Sequence, residues 1–409
     1  MSSSRCRFCA QPLEAVFADL GMSPLANSFL PPERANAMEP FYPLRALVCS
    51  NCFLVQLEEY ETPEHIFGDY AYFSSYSSSW LEHSRRYVEA MVERFRLDER
   101  SHVVELASND GYLLQFFVER HVPVLGIEPA ANVAKVALQK GIPTLVEFFG
   151  VVTAQTLAPD SRADLLVGNN VLAHVPDLND FVGGMKVLLA EEGVITMEFP
   201  HLLKLIELNL WDTIYHEHFS YLSFTTVRRV FAAHGLRLFE VEELPTHGGS
   251  LRIYGCHEDA SHEETERARD LVARERAWGL DDLRTYLDYG TRVAQDKRRI
   301  VSFLAELKDA GYSLVGYGAP AKGNTMLNFC GIGTDFLDYT VDLNPHKQGH
   351  YLPGTHIPIR PVEALRTTRP DVVLILPWNL RDEIVGQHAY VREWGGRFAA
   401  RAPELRMVP

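Results

Sequence analysis

No stretch of the 409-residue chain is apolar over the length a membrane helix needs, and its start, MSSSRCRFCAQPLE, lacks the apolar core of a secretion signal. Basic residues are scarce too: 39 Lys and Arg stand against 54 Asp and Glu, a formal charge of -15. That balance excludes nucleic acid and anionic membrane as partners held by charge alone. Cysteine is limited to six residues. In the cytoplasmic setting these absences predict, they read as thiols or metal ligands before disulfides. What remains, 46% apolar and 23% charged residues, is ordinary globular composition, and the length calls for two or three domains.

Four of the cysteines form two CxxC pairs, Cys6-Arg-Phe-Cys9 and Cys49-Ser-Asn-Cys52. Each pair can set two thiolates on one tetrahedral ion, and two pairs complete a closed structural zinc site. A redox CxxC explains one pair but not both. Next comes a stretch dense in hydroxyls and rings, DYAYFSSYSSSW (69–80), suited to packing on a sugar or base, or to a linker lying on the helix predicted over residues 81–97.

From residue 102 strands alternate with helices, which predicts a doubly wound parallel sheet with ligands at the carboxyl ends of its strands. Polar groups fall at those ends: Glu105, Asn109 and Gly111 in ELASNDGYLL, Glu128 after the second strand, and Asn169, Asn170 and His174 in GNNVLAHV. An acid closing the second strand is placed to accept the hydroxyls of a ribose. The first turn has one glycine where a dinucleotide fingerprint has three, which favours a ligand with no phosphate there. THGGSLRIY (246–254) reads as a glycine-kinked hairpin or as a close backbone approach to a ligand, with Ser250 and Arg252 as a hydroxyl and a fixed cation. Residues 262–308 are charged and helical. Beyond them, strand, GYGAPAKG turn and helix begin a second nucleotide-binding-like unit in which Lys322 and turn amides could face an anion.

The chain centres on WDTIYHEHFSYLS (211–223). His216, Glu217 and His218, flanked by Tyr215 and Tyr221, can take and return a proton near neutral pH. In a helical turn Tyr215 and His218 share a face; in an extended segment His216 and His218 do.

Together and in this order, these motifs resemble the S-adenosylmethionine-dependent C-methyltransferases that act on nucleotide-linked keto-deoxysugars in antibiotic sugar biosynthesis. The resemblance implies a small N-terminal zinc-binding domain (1–70), a central class I methyltransferase domain (71–260) and a C-terminal Rossmann-like domain (261–409). It implies S-adenosylmethionine held by Glu105, Asn109, Gly111 and Glu128, with Asn169, Asn170 and His174 near its methionine end or the substrate. Tyr72, Phe73, Ser75, His247, Ser250 and Arg252 would line the sugar site, while Tyr317, Lys322 and Asn324 hold the nucleotide diphosphate. His218 is the expected general base, supported by Tyr215 and Glu217, with Tyr215 and His174 on the enolate oxygen of a dTDP-linked 4-keto sugar. C3 and C5 both flank that ketone; C3 is favoured. The zinc is structural, and a monomer is expected because three domains can enclose one site. An O-methyltransferase, an NAD-dependent oxidoreductase and an inactive zinc-stabilised binding module are the competing readings.

Overall fold

The computed structural model describes residues 4–62, 73–76, 78–159, 162–401 and 403–408. Its strands make three sheets. The first runs Ala15–Ser23, Tyr42–Val48, Val55–Leu57, all antiparallel, and is completed by Ser220–Tyr221 from the middle of the chain. Metal-site and His-rich segments are thereby hydrogen-bonded into one sheet.

The second sheet has seven strands. Five are parallel, in the order Leu189–Pro200, Ala163–Asn169, Val103–Leu106, Val124–Ile127, Thr144–Leu145. Helices cover them, so Val103–Leu106 is buried at every position, as parallel strands must be when both faces are packed. A departure from the expected all-parallel sheet lies at the other edge, where Leu236–Leu244 and Ser250–His257 add as an antiparallel hairpin. Its turn contains Gly248 and Gly249 at φ 88° and 123°. A Cβ on Gly248 would stand 2.7 Å from the Trp378 ring, so the absence of a side chain there lets the C-terminal domain approach.

The third sheet holds six strands, parallel except for the terminal Arg406–Val408. The charged region between the domains forms helices Glu266–Trp278, Leu283–Leu287 and Tyr289–Asp309. They are packed rather than free-standing. Glu275 accepts the Phe224 and Thr225 amides and pairs with His201, and the Tyr289 ring stacks on Phe17 at 4.4 Å.

One buried network ties the domains. Arg401 donates to Asp212 at 2.6 Å and to Asp296 at 2.8 Å, while Trp211 and Trp378 donate their indole N–H groups to Asp296 and Asp212. Asp212, Asp296 and Arg401 are all buried. Removing one member of such a cluster leaves an uncompensated buried charge, which costs about 3–5 kcal/mol. Among the described residues no helix is long and apolar enough to cross a membrane.

Candidate active site

Four thiols converge at the N-terminus. Cys6, Cys9, Cys49 and Cys52 place their sulfurs within 4.8 Å of one another, with Cys6–Cys52 and Cys9–Cys49 at 3.6 and 3.5 Å. A tetrahedron with Zn–S bonds of about 2.3 Å has sulfurs about 3.8 Å apart, so the cluster has the size of a four-thiolate zinc site. The chemistry lies elsewhere.

At the carboxyl end of Val103–Leu106 the chain turns sharply through left-handed residues Ala107, Asn109 and Gly111. Gly111 allows this because a Cβ would meet Ile142 at 2.3 Å. Asn109 and Ala130 donate their amides to the two oxygens of Glu128, at 2.9 and 2.8 Å. The side-chain oxygen of Asn109 accepts the Ser74 amide at 2.9 Å, and the Ser75 hydroxyl bonds Asp110. The loop is thus held in shape by its own hydrogen bonds. Beside it, Glu105, Ser108, Asp110 and Asn169 hold buried side-chain atoms without a well-formed hydrogen bond, although the Tyr112 phenol lies close to Glu105 and Asn169. Burial pushes the Glu105 carboxyl well up, and neighbouring Glu128 and Asp110 add to this. A buried acid among underused polar atoms suits a ligand carrying both a cation and hydroxyls, and S-adenosylmethionine is such a ligand.

The His-rich segment takes the helical-turn alternative. His218 donates its amide to the Tyr215 carbonyl at 2.9 Å, which brings Tyr215 and His218 together as residues three apart. His218 Nδ1 lies 3.1 Å from the Thr213 carbonyl, an acceptor only, so Nδ1 carries the proton and Nε2 the lone pair. The Tyr215 hydroxyl lies 2.9 Å from that Nε2. The His174 ring meets His218 edge-on at 4.7 Å between centres. Its own Nδ1 donates to the Glu217 carbonyl at 2.7 Å, so its Nε2 in the neutral ring is an acceptor too. Burial holds His218 well below the usual histidine range, the neighbouring His174 adding to the effect, and pushes His174 down to about 4. Both imidazoles are therefore neutral at pH 7.

The remaining members of the motif face outward from this pair. His216 sits 3.2 Å from the Pro43 carbonyl of the first sheet. The Glu217 carboxylate is held by both contacts of the Asn27 amide, at 2.8 and 2.9 Å. Burial pushes it up to about 7 against Asn27 and Lys347. Its backbone, through His174, is what meets the imidazole pair.

Lys322 enters from the C-terminal domain. Its ammonium donates to Asn379 at 2.8 Å and lies 4.5 Å from the centre of the Trp378 ring. Burial lowers it to about 8, against the attraction of Asp212. Its charge adds to the depression of His218 and His247 that burial causes, so it lies within electrostatic reach of those rings. His247, at φ 54°, lies 3.4 Å from the Asn170 amide and 5.8 Å from the Trp80 ring, and burial pushes it down to about 4.

Several residues expected on substrate have other partners. The Arg252 guanidinium is buried between Glu198 and Glu242 and over the Tyr87 ring. Although burial pushes Glu198 up, His83 and Arg252 hold it below the usual carboxylate range. Arg252 is thus committed to an ion cluster. Ser250 Oγ bonds the Thr246 carbonyl, the Tyr317 phenol lies 2.7 Å from His388, and the Asn324 amide holds the Ala26 carbonyl at 2.6 Å. Phe73 stacks on Tyr76, and Tyr72 lies outside the described residues. Asn27 and Trp378 are site-building groups that no quoted motif contains, because each arrives from a distant segment. Trp80 and Thr213 lie within quoted stretches, but nothing local marks the Trp80 ring or the Thr213 carbonyl as part of the site.

Family models match the chain in three parts: a zinc binding domain over residues 6–67, a methyltransferase domain over 80–241 and a C-methyltransferase C-terminal domain over 245–403. With the four-thiol cluster, these matches define an S-adenosylmethionine-dependent methyltransferase with a structural zinc ion. The chain is 34% identical to the C-methyltransferase NovU of Streptomyces niveus over 404 residues, covering 98% of this chain and 96% of that protein. It belongs to that C-methyltransferase family. Among solved structures it is similar to magnesium protoporphyrin IX methyltransferase (ChlM) of Synechocystis PCC 6803 with bound SAH, at 14% identity over 43% of this chain and 82% of that one, with a TM-score of 0.35. A second likeness is to an S-adenosylmethionine-dependent methyltransferase of Clostridium acetobutylicum ATCC 824, at 9% identity over 43% of this chain and 92% of that one, also at 0.35.

Proposed function

We propose that the protein methylates carbon C3 of a dTDP-linked 4-keto-deoxysugar, acting as a monomer. A carbon next to a ketone becomes a nucleophile when its proton is removed and the oxyanion is stabilised. The observation that carries this reading is the buried, neutral His218 ring, fixed by the Thr213 carbonyl with its lone pair at Nε2.

That lone pair accepts from the Tyr215 hydroxyl. When substrate binds, the phenol redirects its hydrogen bond to the ketone oxygen, freeing Nε2 to take the proton. His174 was expected on the enolate oxygen, but with Nδ1 given to Glu217 its neutral ring has no second N–H to donate. Tyr215 is therefore assigned the oxygen alone. Burial keeps His218 neutral until the proton arrives, and the neutral His174 ring packs edge-on against it. Lys322 is the cation that meets the negative charge of the sugar nucleotide, with His247 and Asn170 beside it. S-adenosylmethionine, held by the Glu105, Asn109, Glu128 and Asn169 end, supplies an electrophilic methyl group when bound. Glu217 supports the pair through its carbonyl, which accepts from His174, while Asn27 holds its carboxylate.

The test is His218→Asn, followed by proton NMR of the product and by deuterium exchange of the sugar's α-hydrogens. Loss of about 100- to 10,000-fold in both is expected. A near-normal exchange rate removes His218 as the base; a new O–CH3 in place of C–CH3 removes the carbon nucleophile.

A further inference from the structure

Arg7 lies inside the first metal knuckle, between Cys6 and Cys9, where the motif treats it as a spacer. Its guanidinium turns away from the thiols toward the two histidine segments. Nη1 donates to the Pro176 carbonyl at 2.6 Å, two residues after His174. Nη2 donates to the Leu57 carbonyl at 2.5 Å, and the Leu57 amide is bonded to the Phe219 carbonyl at 3.0 Å. The guanidinium carbon also stands 5.4 Å from the centre of the Phe219 ring, next in sequence to His218.

The near end of Arg7 is fixed as firmly. Its amide donates to Gln56 Oε1 at 2.9 Å, and Gln56 Nε2 lies 3.3 Å from the Cys6 sulfur. Gln56 is paired in register with Ser220, two residues after His218. One planar fork, rooted at the metal site, thus touches the chain just beyond each imidazole. A lysine could supply the charge but not two divergent donors in a plane.

We infer that Arg7 is a positioning residue: it fixes the His174 and His218 loops relative to each other and makes the zinc site the anchor for that spacing. This rests on the reading of the two imidazoles as the proton-handling pair. A role confined to the knuckle would predict instead that replacing Arg7 releases the metal and leaves any zinc-loaded protein fully active.

The experiment compares Arg7→Ala, Arg7→Lys and His218→Asn in the full-length enzyme. Zinc content, deuterium exchange of a dTDP-linked 4-keto-deoxysugar in the presence of S-adenosylhomocysteine, and kcat and KM for methyl transfer are measured. Both Arg7 variants should keep their zinc and the KM for S-adenosylmethionine, while exchange and kcat fall about 10- to 100-fold. Added guanidinium should restore part of the exchange in Arg7→Ala but not in His218→Asn. Normal exchange in zinc-loaded Arg7 variants, with His218→Asn inactive, overturns the positioning role alone. Loss of zinc from both Arg7 variants overturns it as well, by assigning Arg7 to the knuckle. Normal exchange in His218→Asn takes down the imidazole reading and the inference with it.

Discussion

Gly248→Ala adds a single carbon where the central and C-terminal domains meet. That carbon would stand 2.7 Å from Cη2 of Trp378 and 2.9 Å from Cδ1 of Leu210. Comfortable carbon contacts lie near 3.5–4.0 Å, so the indole must recede by roughly 1 Å. Its freedom to do so is small, because its N–H is bonded to Asp212 at 2.6 Å and Asp212 is itself held by Arg401. Overpacking of this kind costs about 1–3 kcal/mol. The left-handed backbone at φ 88° adds about 1–2 kcal/mol for a residue with a Cβ. Moving Trp378 also moves Lys322, which lies over its ring. If Lys322 meets the substrate as proposed, a shift near 1 Å costs on the order of 100-fold in rate. Thermal unfolding and steady-state kinetics with both substrates are the assays. The expected result is a lower Tm, a higher KM for the sugar nucleotide and an unchanged KM for S-adenosylmethionine, whose residues lie on the Glu105 side. A variant with wild-type Tm and kinetics within about twofold would refute the close approach.

Acid should destabilise the enzyme. His174 and His247 are pushed down to about 4 by burial, from about 6.5 unfolded, so each contributes stability that is present above 6.5 and lost as pH falls toward 4, roughly 3 kcal/mol apiece. Glu217, pushed up to about 7, acts in reverse and offsets roughly one of them over the same interval. Denaturant midpoints should therefore fall steadily from pH 7 to 4, and a flat profile would contradict the burial of the imidazoles. Because burial pushes the Glu105 carboxyl well up, a bound cationic cofactor should draw it down again and release a proton over the pH range between the two positions. Calorimetry in buffers of different ionisation enthalpy should detect this proton in the wild type and not in Glu105→Gln. Cys49→Ser should lose zinc and abolish methyl transfer together, with metal analysis and activity falling in step.

The sequence made the metal site legible because a zinc site demands paired thiols at short spacing, and spacing survives in one dimension. The placement of Glu105, Asn109, Gly111 and Glu128 at strand ends was legible for a similar reason, since that is where a parallel sheet presents its loops. The pairing of Tyr215 with His218 needed only a choice between two periodicities. Arg252 was read as ligand-facing because a cation beside a glycine-rich turn has that chemistry available, and Asn324 because the family resemblance implied it. Glu198 and the Ala26 carbonyl claimed them first, from 54 and 298 residues away. The same distance hid Asn27 and Trp378, whose roles come from the folded neighbourhood alone. Glu217 shows both sides of this: its place in the motif was plain, but its partner Asn27 lies 190 residues off.

The strand Ser220–Tyr221 closes a sheet whose other strands lie within the first 57 residues. On the ribosome, those early strands emerge with one edge exposed and wait for about 165 further residues before their last partner exists. The thiols can be loaded during that interval, since all four precede residue 53. Metal capture is thus available as an early event that holds the nascent sheet in shape, and the arrival of the histidine segment is a late one that seals it.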